Sequence, residues 1–501
     1  MNRNQIDLLQ NTGAHGILRR AIKITSYFIY VLLLINGLYG QENLPPVGPA
    51  KKAQIPAIRE FTLANGLRVA VVEKSGVPLV TAYLLVKAGA RDETENQAGL
   101  ARITATMLTR GTTTRSAEQI ADDIEFLGGS INSGAERLNS FVTVTVTSDK
   151  IASAMRIMSD VVLNPGFDEK ELDLLKAQTL DELKFNLTQP GFLANYVASK
   201  AVFGEHPVGG TPESINAISR ADTESFYRSV FRPDRSVLIF VGDISVALGR
   251  KLAEINFGRW RGESKAKIRD FQNGSNNHSV DNLNDAVLVI DMPDSGQAAV
   301  NYFKRIDGLK RNSGDYYTAS VYNSVLGGGY SSRLNQEIRI KRGLSYGAGS
   351  GFAWRQESAN FSARAQTKNE SAAEVARLMA DEINRLAVDK VANTELVPRK
   401  SVLIGSFARS LETNASLAGL LGDLYVFDIP ASSLAEYMSG IDAITDADIQ
   451  KFAHKIPSKG TFIIVGDYAK FRDALQSTFP DRTIRVIPAA KVDLSSPGLS
   501  R

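Results

Sequence analysis

INAISRAD at residues 215–222 recurs as IDAITDAD at residues 441–448. Further along the chain, Val-Gly-Asp at 241–243 recurs at 465–467, at nearly the same spacing. Patterns that recur in the same order at a nearly constant spacing indicate a duplicated unit. The chain therefore contains two copies of one domain, each roughly 210 to 220 residues long.

Changes in composition set the boundaries of the two copies. The stretch between them is polar and rich in glycine and asparagine, as is typical of a linker. We predict, in order, a signal peptide, a linker, an N-terminal domain, an interdomain linker, a C-terminal domain and a tail: 1–40, 41–57, 58–261, 262–284, 285–488 and 489–501.

Local patterns in the first copy predict both strands and helices. Asn65-Gly66 separates two alternating apolar runs, which is the signature of a β-hairpin. Residues 79–86 and the strictly alternating residues 141–148 predict two further strands. Ser116 and Gln119 predict the capped start of a helix. The copy therefore mixes the two kinds of element.

Composition limits the chemistry that the chain can carry. The 501 residues are 43% hydrophobic and 22% charged, which is ordinary for a protein with large cores. The net charge of +4 is small for this length and does not indicate nucleic-acid binding. The sequence contains no cysteine, which excludes disulfides, thiolate zinc sites and cysteine nucleophiles. The histidines, at positions 15, 206, 278 and 454, are too far apart to form a helical pair of metal ligands.

The N-terminus has the pattern of an export signal. Arg19, Arg20 and Lys23 precede the apolar run 24–35, and small and polar residues follow up to Gly40. The apolar run is short for a membrane span. We expect cleavage near Gly40 and export to the periplasm. Retention as an uncleaved membrane anchor is the alternative.

Residues 89–116 read GARDETENQAGLARITATMLTRGTTTRS and resemble the active-site segment of pitrilysin/insulinase-type metallopeptidases. That family has roughly G-S-R-D-E…G-L-A-H-F-L-E-H-M-L-x-x-G-T at this place. Its inverted zinc motif His-x-x-Glu-His falls on residues 102–106. The residues in step with the family pattern are Gly89, Arg91, Asp92, Glu93, Gly99, Leu100, Ala101, Met107, Leu108, Gly111 and Thr112.

The zinc motif itself is lost. Arg102 and Thr106 stand at the two histidine positions, and Ala105 stands at the position of the general base. Two ligands at i and i+4 share one helix face, and zinc needs neutral imidazole or anionic ligands there. A guanidinium remains protonated and opposes a dication, while alanine cannot accept a proton. We therefore expect no metal in this chain.

The family's third zinc ligand is a glutamate further along the chain, and Glu182 lies at the family's spacing beyond Thr106. Glu182 lies in the apolar-periodic segment 168–187, whose start has a capping-box pattern, so it can be an ordinary solvated carboxylate on an amphipathic helix. The alternative is a residual metal ligand. Arg102 has two interpretations as well: an exposed helix cation, or a cation that occupies the vacated metal position and pairs with Glu182.

The second copy contains LGGGYSSRLNQEIRIKRGLSYGAGSGF at 326–352, which resembles the family's L-G-G-G-x-S-S-R-L-x-x-x-I-R-E-K-R-G-L-A-Y-x-x-x-S. In active members the arginine and tyrosine of this segment reach the metal site of the other half and hold the substrate carbonyl. They correspond to Arg339 and Tyr346. We predict a helix at 332–342 that stops at Gly343, with Tyr346 opening the next strand. A guanidinium and a phenol can both donate hydrogen bonds to an oxyanion.

Two features of this segment also have simpler interpretations. Arg339, in the last turn of the predicted helix, can serve only to balance the helix dipole. The glycines 327, 328 and 329 are not followed by Gly-Lys-Ser/Thr, so they do not form a phosphate-binding loop and instead stop a helix. The resemblance implies that Gly327, Gly328 and Gly329 form a flexible loop that contacts substrate.

The resemblance covers residues 58 to about 480 and implies an α+β fold. The expected architecture is two homologous domains, each an antiparallel-rich sheet covered by helices, packed as a clam-like pair. In heterodimeric members, such as bacterial peptidases and mitochondrial processing peptidase, one subunit carries zinc and the other supplies the arginine and tyrosine. This chain fits the second role, as a non-catalytic subunit of an exported zinc peptidase that acts on peptides. The alternative is a catalytically inert structural or peptide-binding protein.

The lost motif generates a first prediction. The purified mature protein is expected to bind no stoichiometric zinc and to cleave no peptide by itself. The reason is that Arg102 replaces a zinc ligand and Ala105 replaces the general base. Elemental analysis tests this, and about one tightly held zinc per chain would contradict it. The combined variant Arg102→His, Ala105→Glu, Thr106→His is the positive control for zinc binding. It restores the two histidine ligands and the general base, and Glu182 is available as the third ligand.

Overall fold

Strands from the two predicted copies form two six-stranded sheets. The computed structural model describes residues 54–262, 283, 285–457, 460–496 and 498–500. The first sheet contains β1 (Ile58–Thr62), β2 (Arg68–Glu73), β3 (Leu79–Val86), β4 (Ser130–Ala135), β5 (Ser140–Thr147) and β6 (Ser236–Gly242). The second contains β7 (Val287–Asp291), β8 (Ala298–Asp307), β9 (Ala348–Trp354), β10 (Ser358–Thr367), β11 (Thr461–Gly466) and β12 (Ile484–Pro488).

The two sheets have the same strand order. It is β1-β2-β6-β3-β5-β4 in the first and β12-β7-β11-β8-β10-β9 in the second. Most neighbours are antiparallel, and the parallel pairs are β2–β6, β7–β11 and β7–β12. This equivalence confirms the prediction of two homologous α+β domains with antiparallel-rich sheets. The sheets differ at one edge, because β1 comes from a hairpin ahead of β2, whereas β12 comes from the end of the chain.

The predicted local signals of the first copy lie where the sequence indicates. The Asn65-Gly66 pair lies in the turn between β1 and β2, and Gly66 has the left-handed φ of +92° that such a turn requires. β3 has the predicted bounds. Along β5, buried and half-buried residues alternate, as the period-two pattern of 141–148 predicts.

Helices cover both sheets. In the first half they are α1 (Leu100–Met107), α2 (Ala117–Phe126), α3 (Ile151–Leu163), α4 (Glu169–Leu187), α5 (Pro190–Ala201), α6 (Pro212–Ala217), α7 (Arg220–Val230) and α8 (Val246–Phe257). In the second half they are α9 (Asp315–Leu326), α10 (Arg333–Asn335), α11 (Ala372–Val388), α12 (Asn393–Ser410), α13 (Asn414–Val426), α14 (Tyr437–Ala443), α15 (Asp446–Ala453) and α16 (Arg472–Thr478).

The repeated octapeptide is a repeated helix start. The Ser219 hydroxyl caps α7 by accepting a hydrogen bond from the Asp222 amide, and the Asp222 carboxylate accepts one from the Ser219 amide. Thr445 and Asp448 make the same two bonds at the start of α15. A capping box fixes the direction in which the chain enters a helix. The motif is therefore kept in both copies for a local physical reason.

Each half lends one helix to the sheet of the other half. α5 of the first half packs against β8 and β11, and α13 of the second half packs against β3 and β6. The two helices start at Pro190 and Asn414, which are equivalent places in the repeat. The exchange is thus symmetric. Sequence patterns assign each helix to its own copy and do not reveal this exchange.

Polar contacts fix α13 on the first sheet. Asn414 Nδ2 donates to the carbonyl oxygen of Leu79 at 2.9 Å, and the Tyr425 hydroxyl donates to Glu60 Oε1 at 2.8 Å. Gly422 lies against the ring of Tyr83, where a Cβ would stand 2.9 Å from a ring carbon. The helix is therefore bound at both ends and closely packed in its middle.

The second sheet is buried on both faces. Leu288, Ile290 and Phe303 belong to the core cluster of the first half, whereas Val287 and Val289 belong to the cluster under the helices of the second half. Adjacent residues of one strand thus serve two different cores. The two halves are held together by apolar burial, which is the largest favourable term in folding.

The structure describes the predicted tail and the predicted linker to different extents. The C-terminal stretch 489–501, predicted as a tail, is in part packed: Leu494 and Leu499 are buried in the core of the first half. Sequence patterns do not reveal this packing, because two apolar side chains in a polar segment give little periodic signal. The predicted signal at 1–40 and nearly all of the interdomain linker at 262–284 lie outside the described residues.

In the part of the chain that the structure describes, no single helix is both long and apolar enough to cross a membrane. One bent pair, formed by 414–426 and 431–443, meets the criteria of length and composition when its two helices are taken together.

Close packing at Gly89 generates a second prediction. A Cβ at Gly89 would lie 2.3 Å from the carbonyl oxygen of Glu136 and 2.7 Å from the amide nitrogen of Asn139. Because both are backbone atoms, Gly89→Ala must move the chain and is expected to cost about 2–4 kcal/mol of stability.

Gly76→Ala is the matched control, since open space surrounds a Cβ there. The control is expected to change stability by less than about 1 kcal/mol. Urea unfolding of both variants and the wild type measures the difference. Equal midpoints for the two variants would contradict the packing argument.

Candidate functional site

The helix that carries the degenerate motif is held at its start by a buried carboxyl group. Glu93 accepts hydrogen bonds from the amides of Gly99, at 2.9 Å, and Ala101, at 2.5 Å, at the N-terminus of α1. Gly99 has a φ of +93° and faces Gly210 so closely that a Cβ would stand 3.1 Å from the Gly210 Cα. Glu93 and Gly99, both in step with the family pattern, thus have structural roles.

The former zinc-ligand positions lie on and beside α1. Arg102 and Thr106 share one face of the helix, and Ala105 is fully buried in the core. Arg102 Nη2 lies 3.6 Å from Glu182 Oε2 on α4, and the two side chains are 47% and 57% exposed. The pairing with Glu182 is therefore present, and Arg102 is also an exposed helix cation. An ion pair this open contributes little stability.

These residues do not fit a zinc ion. A guanidinium occupies the first ligand position and already pairs with the one carboxylate that remains. Within the described ranges, no group of three histidine, cysteine, aspartate or glutamate side chains could hold a metal. The zinc chemistry of the motif is therefore not available to this chain through these residues.

A cavity of about 470 Å³ opens next to the Arg102–Glu182 pair. Its walls come from α1, α4, α5 and the loop 203–210 of the first half. The second half contributes Ala353 and Arg355 from the end of β9. The cavity therefore lies between the two halves, beside the lost motif. It will be called the motif cavity.

A charged network forms one wall of the motif cavity. Arg355 of the second half makes a bidentate pair with Glu205 of the first, with distances of 2.5 and 2.8 Å. Asn360 Nδ2 donates to the same carboxylate at 3.3 Å, and Arg137 Nε lies 3.3 Å from it. Fork-to-fork pairing of this kind is geometrically specific. The network joins the halves in one relative position.

Two titratable groups beside this network are shifted toward their neutral forms. Burial raises the pKa of Glu93 to about 8, although the backbone hydrogen bonds from Ala101 and Gly99 lower it. Burial lowers the pKa of His206 to about 4, and the nearby Arg137 acts in the same direction. The two side chains meet at 3.6 Å. Near neutral pH both are held mainly uncharged.

The glycine run of the second half ends a helix by close packing. α9 stops at Leu326, and Gly327 is its C-cap. A Cβ on Gly327 would stand 2.3 Å from the amide nitrogen of Ser350, and one on Gly328 would stand 2.8 Å from the Ser324 Cα. Gly329 has only the tip of a side chain nearby. The predicted helix stop is confirmed, whereas contact of this loop with substrate stays a prediction.

Arg339 lies in a π-helical turn rather than in the predicted regular helix. α10 continues as a π turn over residues 336–340, closed by a hydrogen bond from the Lys341 amide to the Gln336 carbonyl at 2.9 Å. Such turns are frequent at functional sites. The predicted stop at Gly343 is present, with a φ of +64°. The Arg339 guanidinium lies 4.9 Å from the centre of the Tyr330 ring.

Tyr346 projects into solvent. Its side chain is 90% exposed, and β9 begins two residues later, at Ala348, rather than at Tyr346 as predicted. Among the described residues, neither Tyr346 nor the guanidinium of Arg339 has a hydrogen-bond or ion-pair partner. Neither residue lines the motif cavity. The two predicted donors are therefore absent from the walls of the cavity beside the degenerate motif.

Two models of known protein families match this chain. A family model described as insulinase (peptidase family M16) matches residues 68–209, and one described as peptidase M16 inactive domain matches residues 217–401. The chain belongs to the M16 peptidase family. The first model lies within the first half, and the second runs from the end of the first half into the second half.

Relatives of this M16 protein span nearly its whole described length. An uncharacterised zinc protease of Mycobacterium leprae is 28% identical over 425 residues, covering 84% of this chain and 94% of the relative. One from Bacillus subtilis is 25% identical and covers 72% of this chain and 86% of the relative.

Solved structures show the same fold. A peptidase M16 inactive domain from Pseudomonas fluorescens has a TM-score of 0.72 at 27% identity, covering 82% of this chain and 98% of that one. The periplasmic protease PqqL of Escherichia coli has a TM-score of 0.67 at 14% identity, covering 87% of this chain and 52% of that one. The second likeness concerns the fold alone.

Sequence reasoning missed the charged network between the halves. Glu205 and His206 lie in the GEHPVGG loop, whose resemblance to a family loop is a weak signal. Arg137 lies in an ordinary turn between β4 and β5, and Arg355 follows β9. No local pattern marks these two arginines, because their meeting depends on the packing of two distant segments.

The shifted Glu93 generates a third prediction. A carboxyl group whose pKa is raised in the folded state stabilises the fold at pH values below its unfolded-state pKa. This contribution is lost as pH rises through the folded-state pKa. Between about pH 6.5 and 8, the wild type should therefore lose on the order of 2 kcal/mol that Glu93→Gln does not lose. Urea unfolding across this range measures the effect.

His206→Gln serves as the control. The lowered pKa of His206 gives a stability that is present above about pH 6.5 and lost as pH falls toward about 4, so this variant should leave the alkaline slope unchanged. If wild type and Glu93→Gln kept parallel stability profiles above about pH 6.5, Glu93 would not be the group responsible.

Proposed function

We propose that this M16 protein is the non-catalytic subunit of an exported zinc metallopeptidase. In this proposal a homologous partner subunit holds the zinc ion and the general base. The present chain contributes Arg339 and Tyr346, which bind the peptide carbonyl and stabilise the negative charge that develops on it. By itself the chain is inactive.

The exposure of Arg339 and Tyr346 is the observation that carries the proposal. Tyr346 is 90% exposed, and within the described residues both its hydroxyl and the Arg339 guanidinium lack a polar partner. A surface phenol gains nothing for the fold from such a position. Both side chains are free to donate hydrogen bonds to a group supplied from outside the chain. This arrangement suits a site completed by a second subunit.

The local structure supports a positioned arginine rather than a mobile one. The turn that carries Arg339 ends in an αL cap, in which the Gly343 amide donates to the Arg339 carbonyl at 2.9 Å. The Leu344 amide donates to the Ile338 carbonyl, also at 2.9 Å. The Tyr330 ring lies under the guanidinium, a favourable cation–π contact. Preorganised donors are what transition-state stabilisation needs, since they require no reorganisation during the reaction.

The loss of the zinc motif supports the division of labour. Arg102, Ala105 and Thr106 cannot supply the ligands and base of the reaction, so these must come from the partner. Export is supported by the basic and apolar pattern of residues 19–40 and by the likeness in fold to a periplasmic protease. The alternative to a cleaved signal is an uncleaved one that attaches the exported protein to the membrane.

A reconstitution experiment provides the fourth prediction. The partner is sought by co-purification, as a homologous chain with an intact His-x-x-Glu-His motif. Peptide hydrolysis is measured for the partner mixed with wild-type chain and for the partner mixed with each variant. With Arg339→Ala or Tyr346→Phe, kcat is expected to be roughly 10²-fold lower than with wild type, because each change removes one donor to the oxyanion. Arg339→Lys should be impaired too, because an ammonium lacks the planar fork of donors.

Arg342→Ala is the matched control. Arg342 lies in the same segment, but it pairs with Glu337 on the surface, so its loss should leave turnover unchanged. Complex concentration and the partner's zinc content are measured in each mixture. Equal turnover with wild type and Arg339→Ala at matched complex concentration would remove the catalytic role. The inert structural or peptide-binding alternative would then account for the protein.

A further inference from the structure

A second cavity of about 420 Å³ lies on the other side of the charged network. It shares Glu136, Arg137 and Arg355 with the motif cavity, so the network separates two chambers between the halves. Its walls are rich in aromatic rings, contributed by both halves: Tyr83, Phe141, Trp354 and Phe427. It will be called the aromatic cavity. A small chamber with an apolar wall and a few polar groups is typical of ligand sites.

Arg137 stands at the boundary of the aromatic cavity, and its side chain is 12% exposed. Its guanidinium donates one hydrogen bond, to the His206 carbonyl oxygen. Its Nε is buried and, among the described residues, lacks a hydrogen-bond acceptor, although Glu205 is within ion-pair distance. A buried donor without an acceptor is costly, and a guanidinium has five N–H donors to offer to a ligand.

The charges around Arg137 leave one positive charge uncompensated. Glu205 is shared by two guanidinium groups, and Arg355 holds both of its oxygens. The raised pKa of Glu93 keeps that carboxyl mainly protonated near neutral pH, and the lowered pKa of His206 keeps the imidazole neutral. The buried network is thus Arg137 and Arg355 against Glu205 alone.

Two more acidic groups line the aromatic cavity. Asp423 pairs with Arg311 at 3.1 Å and is already neutralised. Glu136 is exposed to solvent at the rim, where water screens its charge. The part of the cavity beside Arg137 therefore favours an anion, while the aromatic walls favour an apolar group.

We propose that the aromatic cavity binds a free carboxylate attached to a bulky apolar group, with Arg137 holding the carboxylate and the aromatic rings holding the apolar group. Such a compound is either the C-terminal residue of a peptide or a free apolar amino acid. This site is separate from Arg339 and Tyr346 and does not depend on the proposed function. A planar guanidinium suits the recognition, because it can bind a carboxylate through two parallel hydrogen bonds.

The sequence motif of the first half holds Arg137 in place. Arg137 lies in the turn between β4 and β5, and the amides of Ala90 and Arg91 donate to the carbonyls of Glu136 and Arg137 at 2.9 Å. Gly89 allows this close approach, since a Cβ there would collide with the turn. The donor is therefore fixed by backbone contacts before any ligand arrives, which lowers the ordering cost of binding.

Calorimetric titration with two matched compounds tests the proposal. N-acetyl-L-phenylalanine carries the carboxylate, and N-acetyl-L-phenylalanine amide has the same ring without the charge. The acid is expected to bind roughly 10- to 100-fold more tightly than the amide, as a charged hydrogen-bonded pair provides. L-phenylalanine, titrated in parallel, distinguishes the two sources: it binds better than the acetylated acid if the ligand is a free amino acid, and worse if it is a peptide end.

Two variants locate the site. Gly419 of α13 lines the aromatic cavity, and a Cβ on it meets open space. Gly419→Leu should fill the cavity and weaken binding of the acid at least roughly tenfold, while improving helix propensity. Gly405→Leu on α12 is the matched control, with only the Arg409 side chain near its Cβ, and should bind as the wild type does. Arg137→Gln should abolish the preference for the acid over the amide.

Three results would each overturn the proposal. They are equal affinity for acid and amide, no saturation by the acid up to about 10 mM, and unchanged affinity in Gly419→Leu. Should Arg137→Gln fail to fold because it breaks the network with Glu205, the Gly419→Leu and Gly405→Leu pair still decides the location. None of these measurements requires the partner subunit, so their outcome is distinct from that of the reconstitution.

Discussion

The reciprocal packing of one helix from each half on the sheet of the other is the constraint on which this structure depends. α5 covers β8 and β11, and α13 covers β3 and β6, so neither sheet is fully buried without the opposite half. Apolar burial scales with the area removed from water, and separating the halves would expose a face of each sheet. The two copies are therefore one cooperative body rather than two independent domains.

This constraint also fixes the polar features between the halves. The Glu205–Arg355 pair and the two cavities exist only because the packed helices hold the GEHPVGG loop against the end of β9. A buried ion pair is weak evidence for stability, since desolvation offsets much of its attraction. Its value here is geometric: bidentate contacts allow one relative position of the two segments.

The degenerate zinc motif and the segment with Arg339 and Tyr346 lie in different surroundings. The lost zinc motif lies beside a cavity between the halves, whereas Arg339 and Tyr346 lie outside that cavity. Within the chain, Arg102 and Glu182 have become an ordinary solvent-exposed ion pair. The donors of the second half have kept their local support, in the π turn and the Tyr330 ring, without any polar partner among the described residues of their own chain.

The sequence by itself determined the duplication, the positions of strands such as β3 and β5, the capped helix start at Ser116, and the loss of the zinc ligands. These follow from short-range periodicity, from turn and cap chemistry, and from residue identity, all of which are local. Only the tertiary structure decided the exchange of helices, the burial of Leu494 and Leu499, and the meeting of Arg137, Glu205 and Arg355. Those contacts join segments that are far apart along the chain. Their energy comes from packing and desolvation in three dimensions, which no local pattern records.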